Sequence, residues 1–300
     1  MVDKNINNAK PFIKWVGGKG QLLNQLESLL PPNFTEWDNV TYVEPFVGGG
    51  AMLFYMLKTH PNITHAIIND INGELVTCYL TVKNKCTELV EALSTIEAEY
   101  KALVTEDQRK AMFITKRDEY NTNRSTLTDI ETTTLFFFLN RTCFNGLYRV
   151  NKKGLFNVPF GRAKAPTICD ENTLYADSEL LQNVDIMNGD FTGTFQNTGK
   201  RTLYYFDPPY RPLNATSNFN DYAKEAFGDA EQIRLKEFCD KIHSANQSFM
   251  VSNSDCNQCG DPFFDELYSA YTIDRVSAAR NVNANGAGRG KISEILIHNT

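Results

Sequence analysis

Asp207-Pro-Pro-Tyr210 follows directly on the apolar run Thr202-Leu-Tyr-Tyr-Phe206. Two successive prolines fix the backbone and remove two N–H donors, so the Asp207 carboxylate and the Pro208 carbonyl can both present acceptors to one amino group. Tyr210 adds a flat ring on which a planar base can stack. An acceptor pair beside a stacking ring is what chemistry on an exocyclic amine requires. Taken alone, the tetrapeptide could equally be a rigid strand-to-loop turn.

A second group lies upstream. Val43-Glu-Pro-Phe-Val-Gly-Gly-Gly-Ala51 runs from a strand-like stretch into a helix-like one, and its glycines let backbone approach a ligand without interference from a Cβ. Asp70 ends the next strand, 22 residues past Gly48, where an acid can bind ribose hydroxyls. A nicotinamide site is the obvious rival, but Gly48-Gly-Gly-Ala-Met-Leu53 lacks the third glycine of that fingerprint. A plain turn stays open. Ile13 to Gly20 is no phosphate-binding P-loop, because Gly20 stands where Ser or Thr belongs and Ile13 where the first glycine belongs.

The elements that must position these residues alternate. Thr41–Glu44, Ala66–Asn69, Thr202–Phe206, Ser248–Ser252 and Glu294–His298 read as strands, with helical stretches at Ala51–Lys58 and near Ala230–His243. This alternation predicts an α/β sheet with helical crossovers. Between about residues 76 and 140 the pattern turns helical, over Cys86–Leu103, Gln108–Tyr120 and Glu131–Leu139. Gly146 to Val158 alternates polar and bulky residues around Asn151-Lys-Lys-Gly154, which predicts a β-hairpin. The economical organisation is a discontinuous α/β domain, 1–75 and 166–300, interrupted by a helical domain over 76–165.

Charge is distributed unevenly. The chain carries −6, yet residues 138 to 165 hold six bases (Arg141, Arg149, Lys152, Lys153, Arg162, Lys164) and no acid, which leaves −12 on the remainder. Residues 275 to 291 add Arg275, Arg280, Arg289 and Lys291, again without an acid. Such segregation suggests a polyanion-binding face on an acidic body, against the simpler reading of a solvated loop.

Taken together and in order, these motifs resemble one family. Phe12-Ile-Lys-Trp-Val-Gly-Gly-Lys19, Glu44-Pro-Phe-Val-Gly-Gly-Gly50, Asn69-Asp-Ile-Asn72, Asn140-Arg-Thr-Cys-Phe-Asn-Gly-Leu-Tyr-Arg-Val-Asn151, Phe156-Asn-Val-Pro-Phe-Gly-Arg162, Asp207-Pro-Pro-Tyr210 and Asn285-Gly-Ala-Gly-Arg-Gly-Lys-Ile-Ser-Glu294 look like the motif set of Dam-type, D12-class DNA adenine-N6 methyltransferases. The resemblance spans essentially the whole chain. It implies a class I, Rossmann-like methyltransferase sheet with an inserted helical target-recognition domain ending in a β-hairpin. Expected with it are methyl transfer from S-adenosyl-L-methionine to N6 of a flipped adenine in double-stranded DNA, within GATC, and no metal.

Carried over residue by residue, the resemblance implies that Trp15, Lys19, Asp70 and Asp207 contact S-adenosylmethionine. Phe46, Gly48 and Gly50 would line the same pocket and Asp190-Phe191 would border its adenine. Asp207, Pro208 and Tyr210 would be catalytic. On the DNA side, Phe144 would wedge into the base stack, with Asn145, Leu147, Arg149, Pro159 and Arg162 near bases or phosphates and Arg141 and Lys153 in the same basic face. An Arg149 fork can meet guanine O6 and N7, and Leu147 and Pro159 can meet a thymine methyl, whereas Lys152, Lys153 and Lys164 suit phosphates. Ala163 departs from the larger residue usual in the family and puts one base-pair contact in doubt. Two rivals stay open: transfer to another exocyclic amine such as cytosine N4, and a catalytically silent DNA-binding module.

The remaining signals are bland. Cys256-x-x-Cys259 has no second pair and no neighbouring histidine pair, so a zinc site is not expected. Seven scattered cysteines, a polar N-terminus and no long apolar run predict a soluble cytoplasmic protein with no membrane association. A monomer is expected, with room for a cognate restriction endonuclease acting separately.

Overall fold

Thr202–Phe206 is buried at every position, the mark of a strand covered on both faces of a parallel sheet. The computed structural model describes residues 5–17, 19–20, 22–195, 201–213, 227–279 and 291–300. These hold strands β1 (Val40–Glu44), β2 (Ile63–Asp70), β3 (Val184–Asn188), β4 (Thr202–Phe206), β5 (Ser248–Ser254), β6 (Thr272–Ala279) and β7 (Lys291–His298). The helices are α1 (Leu23–Glu27), α2 (Ala51–Thr59), α3 (Gly73–Asn84), α4 (Cys86–Lys101), α5 (Glu106–Thr122), α6 (Asp129–Thr142), α7 (Glu171–Leu181), α8 (Asp229–Ser244) and α9 (Phe263–Leu267). The chain falls into two units, one of Met1–Gly18, Gly48–Thr59 and Asp70–Gly189, the other of Lys19–Val47, His60–Asn69 and Asp190–Thr300.

The second unit is built on strands in the order β2-β1-β4-β5-β7-β6. β1 runs parallel to β2 and β4, and β4 parallel to β5, whereas β7 is antiparallel to both β5 and β6. Phe206 pairs with Val251 and Ser254 with Glu294. The carboxyl ends of β4 and β5 and the start of β7 therefore share one edge, the edge where open α/β sheets bind ligands. Phe238 of α8 meets Tyr204 and Phe206 edge-to-face, and those two rings stack on each other.

The first unit is mainly helical. Asn72 caps α3 by accepting from Glu74 N and Leu75 N, and Thr105 and Thr128 open α5 and α6 with full capping boxes. α6 buries Phe136, Phe137 and Phe138, and packs against α3, α4 and α5. Phe12 stacks on Phe137 at 5.5 Å and meets Tyr79 edge-on at 4.9 Å, anchoring the N-terminal segment to that core.

Sequence and structure differ at the margins. The expected hairpin over 146–158 is a tight reversal held by Asn151: its Oδ1 accepts from Lys153 N and Leu155 N, and its carbonyl accepts from Gly154 N. Only one isolated bridge, Val150 to Phe156, pairs its arms, so asparagine turn chemistry stands in for a ladder. β3 and β6 escape the sequence pattern: β3 is only five residues long, and β6 carries Thr272, Asp274 and Arg275 at its start. No described helix is long and apolar enough to cross a membrane.

Candidate active site

Lys19, Asp207, Tyr210 and Glu294 converge at the carboxyl edge of the second unit's sheet. Lys19 Nζ lies 3.1 Å from Asp207 Oδ1 and 3.5 Å from Glu294 Oε2. It also donates to the Tyr210 hydroxyl at 2.5 Å and sits 4.2 Å from the centre of that ring. Tyr210 in turn donates to Glu294 Oε2 at 2.8 Å. Burial pushes the Asp207 carboxyl up to about 6, with Lys19 pulling it down, Glu294 pushing it up and hydrogen bonding by Tyr210 pulling it down. Sequence reasoning singled out three of these residues. Glu294 has no local sequence signature, because strand pairing opposite Ser254 fixes its place at this edge.

Two buried amides fix the loop after Asp207. Gln232 on α8 donates from Nε2 to Pro209 O at 3.1 Å, and its Oε1 accepts from Asn253 Nδ2 at 3.2 Å. Asn253 Oδ1 accepts from Arg211 N at 3.1 Å. The Arg211 guanidinium bonds Asp229 and Asp261 and lies over the Phe263 ring. Asn253 and Gln232 are almost wholly buried, and a buried amide left half-paired is costly, so the loop is strongly specified. Neither residue was found from sequence, although Asn253 is only two positions past the residue that pairs with Phe206.

Phe46 and Phe191 meet in the same unit, with ring centroids 5.3 Å apart. Phe227 stands perpendicular to Phe46 at 5.5 Å, and Arg234 covers Phe191 while bonding Asp190 at 2.7 Å. That hydrogen bond holds the Asp190 carboxyl down at about 2.

In the first unit, Trp15, Gly48, Gly50 and Asp70 come together. Asp70 accepts from Gly48 N at 3.1 Å through Oδ2 and from Asn72 N at 2.9 Å through Oδ1. Burial raises its pKa, opposed by these backbone donors. Gly48 and Gly50 have φ of +48° and +75°. A Cβ at Gly48 would lie 2.8 Å from the Trp15 ring, and one at Gly50 would lie 2.5 Å from the Tyr79 hydroxyl. Glycine is needed there first to admit the protein's own aromatic rings.

The basic segment 138–165 belongs to the same unit. Asn140 accepts from Lys14 N and donates to the carbonyls of Lys14 and Gly146, tying the N-terminal segment to the start of this segment. Phe144 N donates to Pro159 O, which brings Phe144 and Pro159 together, and the Phe144 side chain is half exposed. Asn145 follows in the left-handed region. Leu147 is partly exposed; Arg149, Lys153, Pro159 and Arg162 are exposed. Arg149 donates from Nε to Asn157 Oδ1 at 2.8 Å and from Nη2 to Asn157 O at 3.2 Å. Arg162 lies 3.5 Å from Glu106. Arg141 is set differently, with its guanidinium largely buried and donating to Phe12 O at 2.7 Å. Gly18, Arg280, Arg289 and the stretch 285–290 fall outside the described residues.

The sequence pattern of D12 class N6 adenine-specific DNA methyltransferases matches residues 15–282. The chain belongs to that family. It is 45% identical over 292 residues to the type II methyltransferase M.MjaIII of Methanocaldococcus jannaschii, covering 97% of this chain and 99% of that one. It is 35% identical over 302 residues to the type II methyltransferase M1.LlaDCHI of Lactococcus lactis subsp. cremoris, covering 100% and 98%. The DNA adenine methylase of Escherichia coli (strain K12) is 31% identical over 287 residues, covering 96% and 94%. The mixed α/β sheet is thus a class I methyltransferase sheet, and the protein is an adenine-specific DNA methyltransferase acting at N6. The two rivals, cytosine N4 transfer and a silent DNA-binding module, give way to this membership.

The family implies S-adenosylmethionine as methyl donor, and the residues suit it. Within the second unit, Phe46 and Phe191 offer an apolar aromatic wall on which a flat ring can lie. Among the described residues, no group of three or more His, Cys, Asp or Glu could hold a metal ion.

Proposed function

We propose that this methyltransferase modifies adenine within GATC, after flipping the base out of the duplex, with Asp207, Pro208 and Tyr210 as the catalytic set. The observation that carries the chemistry is the Asp207 carboxylate at the sheet's carboxyl edge, hydrogen-bonded with Tyr210, followed by a loop fixed through Gln232 and Asn253. The adenine amino group is a poor nucleophile because its lone pair is delocalised into the ring. Hydrogen bonds from its two protons to the Asp207 carboxylate and the Pro208 carbonyl favour a more tetrahedral nitrogen. Tyr210 holds the base plane. Positioning and fixed acceptors do this work. The amino nitrogen is out of reach in a stacked duplex, which is why a flipped base is required.

S-adenosylmethionine, when bound, supplies an electrophilic methyl group. Trp15, Gly48, Gly50 and Asp70 are assigned to holding it, as are Lys19, Phe46, Phe191 and Asp207. Residues 76–165 are assigned to target recognition, and 1–75 with 166–300 to catalysis. Phe144 acts as the wedge, and its half-exposed ring supports that role. Arg149 reads guanine, Leu147 and Pro159 meet a thymine methyl, and Lys153, Arg162 and Asn145 contact the same DNA face. Arg141 supports this face from behind through Phe12 O. The enzyme works as a monomer in the cytoplasm, and a restriction endonuclease of the same specificity is a compatible partner.

Incubation with S-adenosylmethionine and an unmethylated plasmid, followed by sequencing that reports modified adenine and its context, tests the reading. Modification confined to GATC is expected. Modified adenine in another fixed context would overturn the specificity and leave the chemistry standing.

A further inference from the structure

The place assigned to the target amine is taken. Lys19 Nζ stands 3.1 Å from Asp207 Oδ1 and over the Tyr210 ring, so one ammonium covers both the acceptor and the stacking face that an incoming adenine needs. An ammonium and an amino group cannot use both at once. Lys19 is itself 6% exposed, so release into water is not open to it without rearrangement. The acceptors already within its reach are the Tyr210 hydroxyl and Glu294 Oε2. Glu294 is anchored by β7 pairing to Ser254 and by the Tyr210 hydroxyl, so its position is fixed.

We infer that Glu294 is a positioning residue: it seats the Lys19 ammonium off Asp207 when the target amine arrives. The inference rests on the assignment of Asp207 as the amine acceptor. Two carboxylates share one ammonium here. Drawing Lys19 toward Glu294 leaves Asp207 an unpaired anion in a largely desolvated site at the moment a donor enters, when its attraction for that donor is greatest. Without Glu294, the ammonium has only Asp207 as an anionic partner in this cluster and competes with the substrate. The ionisable groups facing Asp207 are Lys19 before α1, Tyr210 on its own loop and Glu294 on β7. Tyr42 of β1 and Tyr205 of β4 lie within electrostatic reach of it, and both also feel Glu44.

The test uses the full-length enzyme with Glu294→Gln, which keeps shape and removes charge. Expected is a fall of about 10-fold or more in the single-turnover methyl-transfer rate, with KM for DNA nearly unchanged. The acid limb of the rate should move to lower pH, because the anion that raises Asp207 is gone. In a Lys19→Met background the same change should alter the rate by less than about 2-fold. Glu294→Asp keeps the charge and should keep the acid limb of the wild type. Equal losses from Glu294→Gln in both backgrounds, no loss in either, or an acid limb that stays put would overturn the inference. Asp207→Ala, which removes the acceptor altogether, run in parallel separates the two claims. If it stays active, the acceptor assignment falls. If it is inactive while Glu294→Gln matches wild type, only the seat for Lys19 falls.

Discussion

Trp15 and Tyr148 stack with ring centroids 5.6 Å apart, which joins two groups of residues given different tasks. Trp15 packs into the space left by Gly48 and Gly49 beside Asp70. Tyr148 lies between Leu147 and Arg149, the residues assigned to base reading. It stacks also on Phe136 and donates to Glu74 Oε2 at 2.5 Å, and Glu74 is paired with Arg124, which holds the Gly154 carbonyl. Tyr148→Ala should cost about 3 kcal/mol of stability and weaken both cofactor and DNA binding. Tyr148→Phe should keep the stack and lose mainly DNA affinity. Trp37 is the other tryptophan in the chain, so quenching in a Trp37→Phe protein titrated with S-adenosylmethionine isolates the Trp15 signal.

Arg149 and Lys153 should separate reading from holding. Arg149→Ala should cost about 1–3 kcal/mol of discrimination at one base pair. Lys153→Ala should weaken all sites alike and reduce the salt slope by about one unit. Asn157→Ala should mimic Arg149→Ala in part, because Asn157 holds the Arg149 Nε. Methylation rates on GATC and on each singly altered site decide this. A uniform loss for Arg149→Ala would refute base reading by that residue.

Asp207 must be ionised to accept from an amino group, and its carboxyl stands at about 6. The transfer rate should therefore fall as pH drops through about 6 and stay level above it. Lys19→Met removes the cation that pulls this value down, so it should move the acid limb upward. A single-turnover pH profile of each protein measures the shift.

Much of this chemistry was legible in the sequence because each piece is local. Asp207 to Tyr210 is contiguous, Gly48 to Gly50 is contiguous, and Thr202–Phe206 announces itself as a buried strand. Glu294, Gln232 and Asn253 were not legible, since they reach the Asp207 loop only through strand register and helix packing. The tie between Asn140 and Lys14 spans 126 positions and has no local signature. Arg141 counted toward a basic face by composition, yet burial turns its guanidinium inward to Phe12 O. The hairpin was visible through Asn151 and Gly154, but its want of a ladder was not.

Asp177 offers a stability test away from the site. It is fully buried; Oδ1 accepts from Lys10 N, and Oδ2 has no hydrogen-bond partner among the described residues. Burial pushes its carboxyl up to about 9. The folded state thus holds a proton that the unfolded state releases near pH 4, and stability contributed by the protonated form is lost as pH rises toward 9. The slope from this group should reach about 1.4 kcal/mol per pH unit. Asp177→Asn should flatten the profile and raise stability at pH 8, as denaturant unfolding across pH 5 to 9 would record.

The most direct measurement is transfer of a labelled methyl group from S-adenosylmethionine to adenine N6 by Asp207→Ala beside the wild type, with circular dichroism and melting run on the same samples. Expected is a loss of at least about 1,000-fold in transfer with secondary structure and DNA binding retained. Near-native turnover by a folded Asp207→Ala protein would contradict the assignment of Asp207 as the group that receives the target amine.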